Sequence, residues 1–314
     1  MKPNPIKIVC FGEALIDFKA TGPLAFQGFV GGSPLNVTLA AARLGTPVAL
    51  AAQVSRDLFG EAIMAHLAAN EVDSSLVLRD DAPSTLAFVA ESGGDVDFSF
   101  IGEGAADTRY DPQPRPDLPD EVAFLEFGSI SLLREPGATA ILETVSRHRE
   151  RCAVIFDPNI RPALILDRAA YEARLRAALK LSHLVKVSSQ DLRWLYPDDD
   201  PLVAAAGWLK YGPEAVIVTQ GGERTVLVRR SGRLEVPIPR VQIADTVGAG
   251  DTFMGALIVR LIEGGHLTGF DTLSDAQWQR ALAFAAAAAA LNCTRPGADP
   301  PTRTELEAFN NQNS

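Results

Sequence analysis

Short apolar runs alternate with helix-like stretches through most of this 314-residue chain, and nothing else restricts its fold as much. "KIVCFG" (7–12) has the pattern of a buried strand ending in glycine, and "NVTLAAARLG" (36–45) that of a helix with a glycine stop. "PVALAAQV" (47–54) then reads as a strand and 57–72 as an amphipathic helix. The second half repeats the alternation, with strands at 153–159, 183–188 and 215–222 and helices at 171–182 and 190–196. A hairpin at 225–230 and 233–239 precedes two closing helices, 252–264 and 278–292. Such alternation predicts an α/β fold with a doubly wound, mostly parallel sheet flanked by helices on both faces.

Two stretches break the rhythm. Residues 13–35 are β-like, and 85–107 contains "TLAFVAES" and "DFSFIG" around the turn "GGDV". They predict a small β lid, discontinuous in sequence, on one domain covering 1–314. In doubly wound sheets ligands bind at the carboxyl ends of strands. Gly12, 157–161, 188–191, Gly221–Gly222 and 245–251 all fall there.

Charge narrows the partners. Lys and Arg total 29 against 39 Asp and Glu, a net charge of -10, with no basic cluster suited to nucleic acid or an anionic membrane. Cys10, Cys152 and Cys293 are scattered and odd in number, which predicts thiols and a cytoplasmic protein. The four histidines lack metal-ligand spacing. The N-terminal apolar run is broken by Lys7 and Glu13, so it reads as neither signal peptide nor membrane span, and 281–292 is too short to cross a bilayer.

The chemistry concentrates in "DTVGAGDTFMGAL" (245–257). A glycine loop opening a helix presents free N–H groups and the positive end of the helix dipole to an anion. Asp251 lies inside the first turn, where the dipole also stabilises an ionised carboxylate. A carboxylate beside a phosphate site can take a proton from an attacking hydroxyl. A plain strand-to-helix turn with Asp251 as cap explains the same residues structurally. No Walker-type G-x-x-x-x-G-K-[ST] occurs, and "GAGDTF" is not a dinucleotide fingerprint. "VGGSPLNVTLAAARLG" (30–45) brings Gly31 and Gly32 for close approach and Asn36, which both donates and accepts. "GEALIDF" (12–18) adds Glu13 and Asp17 to an apolar context.

Together with "DPNIRP" (157–162), "KVSSQDL" (186–192), "VTQGG" (218–222) and "CTRPGADPPT" (293–302), these stretches resemble the PfkB or ribokinase-like carbohydrate kinases, most of all the fructokinase branch. They run in family order over nearly the whole chain. The resemblance implies a ribokinase-like fold and ATP-dependent phosphorylation of a neutral sugar at a primary hydroxyl, fructose giving the 6-phosphate. It makes Asp251 the catalytic base and Gly248, Ala249 and Gly250 the anion hole. Asp17, Gly32, Asn36 and Arg161 would hold substrate; Ser188, Thr219, Gly221 and Gly222 would line ATP. Asp191 would reach Mg²⁺ through water. Asp245, with backbone oxygens at Val247 and Gly297, would hold a monovalent cation such as K⁺. A homodimer is implied as well.

The chain departs from the pattern in three places. Asp191 replaces the usual glutamate, Arg224 replaces a later glycine of the nucleotide strand, and Gly102 stands where relatives acting on sugar acids, and many fructokinases, carry arginine. The last departure argues against an acidic sugar such as 2-keto-3-deoxygluconate. Ribokinase, nucleoside kinase and 2-keto-3-deoxygluconate kinase remain as alternatives within the family. A catalytically silent sugar- or nucleotide-binding regulator is the alternative outside it.

Overall fold

The computed structural model describes residues 5–92 and 95–312. Its elements in chain order are β1 (Ile8–Phe11), β2 (Leu15–Gly22), β3 (Ala25–Gly31), α1 (Ser33–Arg43), β4 (Val48–Ala51), β5 (Gln53–Ser55), α2 (Leu58–Ala69), β6 (Leu78–Asp80), β7 (Leu86–Ser92) and β8 (Asp95–Ile101). Then come β9 (Phe124–Gly128), α3 (Gly137–His148), β10 (Ala153–Asp157), α4 (Arg168–Leu181), β11 (Leu184–Ser188), α5 (Ser189–Leu195), α6 (Pro201–Trp208), β12 (Ala215–Gln220), β13 (Arg224–Arg229) and β14 (Gly232–Pro237). Helices α7 (Ala249–Glu263), α8 (Asp275–Asn292) and α9 (Arg303–Gln312) close the chain.

The main sheet has the order β14-β13-β12-β11-β10-β9-β1-β4. Strands β12 through β4 run parallel, and β13 and β14 add an antiparallel hairpin edge. Strand β1 is buried along its length, and its alternate residues feed two cores: Ile8 and Cys10 pack with α1, α2, α7 and α8, whereas Val9 and Phe11 pack on the side of α3 to α6. Period-two alternation thus commits each face of the sheet to its own layer of helices. From β1 the chain steps one way to β4, and from β9 the other way to β10, β11 and β12, so strand order reverses between β1 and β9. Ligands bind at such a crevice in open α/β sheets.

A separate four-stranded sheet, β3-β2-β7-β8, forms from the two segments that broke the alternation. Its strands stop short of the expected limits: 33–35 is already the first turn of α1, and 106–109 is a 3₁₀ turn. Pro34 at the start of α1 explains the earlier helix, because its missing N–H costs nothing in a first turn. The Gly93-Gly94 turn lies outside the described residues. Phe18 stacks on Phe88 with ring centroids 5.2 Å apart and meets Phe59 of α2 edge-on at 5.7 Å, joining this sheet to the body. Among the described residues no helix is long and apolar enough to cross a membrane.

Candidate active site

Loop 245–251 enters α7 through Gly248, which sits at the helix N-cap in a left-handed conformation (φ 73°). A side chain there would also press on Ala298, 2.5 Å from its Cβ. Gly250 is needed for a different reason: a Cβ would come 2.7 Å from the ammonium of Lys186. No side chain caps α7. Asp251 is therefore not the cap but the third residue of the helix, and its carboxylate turns to α1. One oxygen accepts from Ser33 Oγ at 2.7 Å and the other from Asn36 Nδ2 at 2.8 Å. Close packing of α1 on α7 makes this possible, because Gly255 one turn later leaves room for Ala40 and the Val37 carbonyl.

The expected sugar ligands converge on the same place. Asn36 is 4% exposed, and its Oδ1 has no hydrogen-bond partner among the described residues, so a buried acceptor is available to a hydroxyl. Gly32 (φ 110°) approaches the Glu13 carbonyl so closely that a Cβ would lie 2.6 Å from it. Gly31 is held bare by the Asp17 carboxylate. Burial pushes Asp17 up to about 7, with Asp251 and Glu13 adding to the rise and the Arg161 guanidinium opposing it. Arg161 is anchored at the Asn159 side chain, 2.7 Å from Oδ1. Glu13 is buried and clamps the crevice between β1 and β9: its carboxylate accepts from Ser33 N (3.2 Å) and from the Ser131 hydroxyl and backbone N–H. Burial raises its pKa too.

Beneath the loop lies a buried ion pair that sequence reasoning missed. Lys186 of β11 donates to Asp157 of β10 at 2.6 Å, with side chains 7% and 2% exposed. Burial pushes Asp157 up to about 6 against the pull of Lys186. Burial alone would lower Lys186, but Asp157 and Asp251 outweigh it and hold the ammonium charged. A lysine inside a strand buried on both faces was the available signal, since a buried charge requires a partner. Glu126 of β9 is held towards its neutral form by burial, with Asp157, Asp251 and Glu13 reinforcing the shift.

The expected nucleotide residues are grouped but differ in role. Ser188 and Thr219 are neighbours across β11 and β12, and Gly221 and Gly222 form the open turn into β13. Ser188 also caps α5 in a reciprocal box with Asp191: Asp191 N donates to Ser188 Oγ at 2.9 Å and Ser188 N to Asp191 Oδ2 at 3.3 Å. The other Asp191 oxygen accepts from Ile160 N at 3.1 Å. Asp191 thus ties "KVSSQDL" to "DPNIRP" whatever else it binds. On the cation side, Asp245, Val247 and Gly297 do meet: Asp245 accepts from Gly297 N at 2.9 Å and Val247 N at 3.1 Å. Lys19 of β2 donates to the same carboxylate at 2.9 Å.

At Gly102 the structure changes the expectation drawn from a missing arginine. A Cβ there would lie 2.5 Å from Thr85 Oγ1, so a side chain would have to displace Thr85, yet Arg134 donates to the Gly102 carbonyl at 2.5 Å. A guanidinium is present after all, supplied from another segment. Asp107 beside it is pushed up to about 6, by burial first, with Arg134 opposing.

An uncapped helix start with a fixed carboxylate, buried hydroxyl acceptors and a doubly wound sheet define the class: the chain belongs to the pfkB family of carbohydrate kinases, whose family model matches residues 5–305. Its relatives point to one branch. It is 35% identical over 265 residues to a fructokinase of Rhizobium leguminosarum bv. trifolii, covering 83% of this chain and 81% of that one. Fructokinase from Xylella fastidiosa with bound ATP superposes with a TM-score of 0.87 at 30% identity, over 98% of this chain and 99% of that chain. A double mutant of Vibrio cholerae O395 fructokinase, in a form with fructose, ADP and potassium ion bound, gives a TM-score of 0.86 at 25% identity, over 97% and 98%.

Proposed function

We propose that this chain transfers the γ-phosphoryl group of ATP to a primary hydroxyl of a neutral sugar, converting fructose to fructose 6-phosphate. The observation that carries the reading is the Asp251 carboxylate, fixed by Ser33 and Asn36 in the first turn of an uncapped helix. A sugar hydroxyl at that carboxylate gives up its proton to Asp251 as it attacks. The N–H groups of Gly248, Ala249 and Gly250 receive the charge on the transferring group, aided by the helix dipole, with Ala249 N–H first released from the Thr246 carbonyl to which it donates at 3.3 Å. Asp17, Gly32, Asn36 and Arg161 hold the sugar. Ser188, Thr219, Gly221 and Gly222 flank the nucleotide. Asp191 would hold Mg²⁺ through water, since each of its oxygens keeps a lone pair and oxygen donors suit a hard cation, and the ion would supply positive charge to offset that of the phosphates. The family's pattern places a monovalent cation, K⁺, at Asp245, Val247 and Gly297; in this chain Lys19 already donates to the Asp245 carboxylate. The four-stranded sheet acts as the lid of a single kinase domain and excludes water when closed.

The lid's edge strands and the exposed Leu24, Phe26 and Ile101 suit pairing with a second copy, so we propose a homodimer, which light scattering tests. The cytoplasm is the proposed compartment, from three cysteines that remain thiols. Arg134 favours one second reading, a sugar acid whose carboxylate pairs with that guanidinium. The test is ADP release from ATP over a panel of fructose, ribose, nucleosides and sugar acids. Fructose is expected to lead. Release with a sugar acid alone establishes the second reading, and release with none refutes kinase function.

A further inference from the structure

The oxygens expected to hold a monovalent cation are already bonded within the chain. Asp245 Oδ2 accepts from Lys19 Nζ and Gly297 N, both at 2.9 Å, and Oδ1 accepts from Val247 N at 3.1 Å. The Val247 carbonyl accepts from Asn292 Nδ2 at 2.8 Å and the Gly297 carbonyl from Asp299 N at 3.1 Å. We propose that Lys19 is itself the cation of this site: a tethered ammonium that replaces a free monovalent ion beside the phosphoryl-binding loop.

Charge is the first argument. The Asp245 side chain is 3% exposed and ties 245–247 to 297. Uncompensated, this carboxylate would repel the phosphate that the loop receives. A lysine ammonium is a compact unit charge, close to a potassium ion in charge and size, with donors rather than a fixed coordination shell.

Position is the second argument. Lys19 lies on β2, two residues after Asp17 and so on the same face of the strand. Phe29, paired with Asp17 across β2 and β3, covers Gly297, where a Cβ would meet its ring at 3.0 Å. The small sheet therefore carries the sugar ligand Asp17 and the charge of Lys19 to the loop together. In this design the loop is neutralised only when the lid is down, and activation depends on lid closure instead of salt.

The proposal rests on 245–251 being the phosphoryl site, and its test separates the two. Wild type and Lys19→Met are titrated with thallium(I), a potassium analogue, by thallium NMR in buffer free of other small cations, and kcat is measured with and without potassium. Lys19 is 30% exposed, so the variant is expected to fold, with Lys19→Arg as a control that keeps the charge. Wild type should bind no thallium at Asp245 and should be indifferent to potassium. Lys19→Met should bind it saturably, lose the signal on adding Asp245→Asn, and show kcat lowered about 10-fold or more, restored by potassium. Saturable thallium binding to wild type that Asp245→Asn abolishes, or none to Lys19→Met, overturns the proposal. If the thallium pattern holds but no sugar is phosphorylated, the kinase reading fails and the tethered cation stands.

Discussion

Gly255→Ala adds one methyl group where α1 crosses α7. Its Cβ would lie 2.7 Å from Ala40 Cβ, 2.7 Å from the Val37 carbonyl and 3.2 Å from Ala41 N. Ordinary contact begins at 3.4 Å, so the helices must part by about 0.7 Å. One turn earlier the same helix pair holds Asp251, at 2.7 Å from Ser33 and 2.8 Å from Asn36. A full transfer of that shift stretches these bonds to roughly 3.4 and 3.5 Å, the limit of a hydrogen bond. Overpacking costs about 1–3 kcal/mol, and replacing a helical glycine by alanine returns about 1 kcal/mol. The net loss of stability is thus only about 0–2 kcal/mol, a fall in Tm of at most about 8 °C. Catalysis should suffer more, because a misplaced base costs up to about 100-fold. Steady-state kinetics and scanning calorimetry on the same sample should show kcat reduced roughly 10- to 100-fold with a modest change in Tm. A Gly255→Ala enzyme with wild-type kcat would show that the helix contact does not position Asp251.

Asp17 is raised from 3.8 to about 7, so the native state keeps a proton that the unfolded chain releases, and its stabilising contribution is lost as pH rises through about 7. Asp17→Asn should therefore flatten the pH dependence of stability between those values, and remove an inflection near 7 below which sugar kcat/KM falls in wild type. Lys186→Met leaves Asp157 buried without its ammonium and should cost about 3–5 kcal/mol in denaturant unfolding. Adding Asp157→Asn should recover part of that loss; no recovery would mean that the lone carboxylate is not its source.

How much of this was legible in the sequence follows from how each residue reports its role. The main sheet was readable because strands buried on both faces leave unbroken apolar runs. Strand β9 was not, since Glu126 interrupts "FLEFG" and only the fold shows that burial holds this side chain towards its neutral form. Helix α3 behind it went unassigned with the rest of 108–152, and α6 and α9 were likewise unassigned. The strand expected at 47–54 divides into β4 and β5, and β5 pairs with β6 as three residues per strand, too short to carry a period. Loop 245–251 was legible because backbone chemistry forces glycine into the sequence. Lys186 was not singled out although a charge inside an apolar strand signals a buried partner, whereas Lys19 in a half-buried strand and Gly255 in an apolar helix acquire meaning only from the neighbours the fold provides. The same holds for Arg134, which reaches Gly102 from 32 positions away.

The most direct test of the account is the turnover of Asp251→Asn, measured with ATP affinity by calorimetry on the same preparation. The substitution keeps the side chain's shape and removes its basicity. Turnover should fall about 10²–10⁴-fold while ATP binds as to wild type. Near-wild-type turnover would contradict the assignment of Asp251 as the base, and with it the mechanism built on this loop.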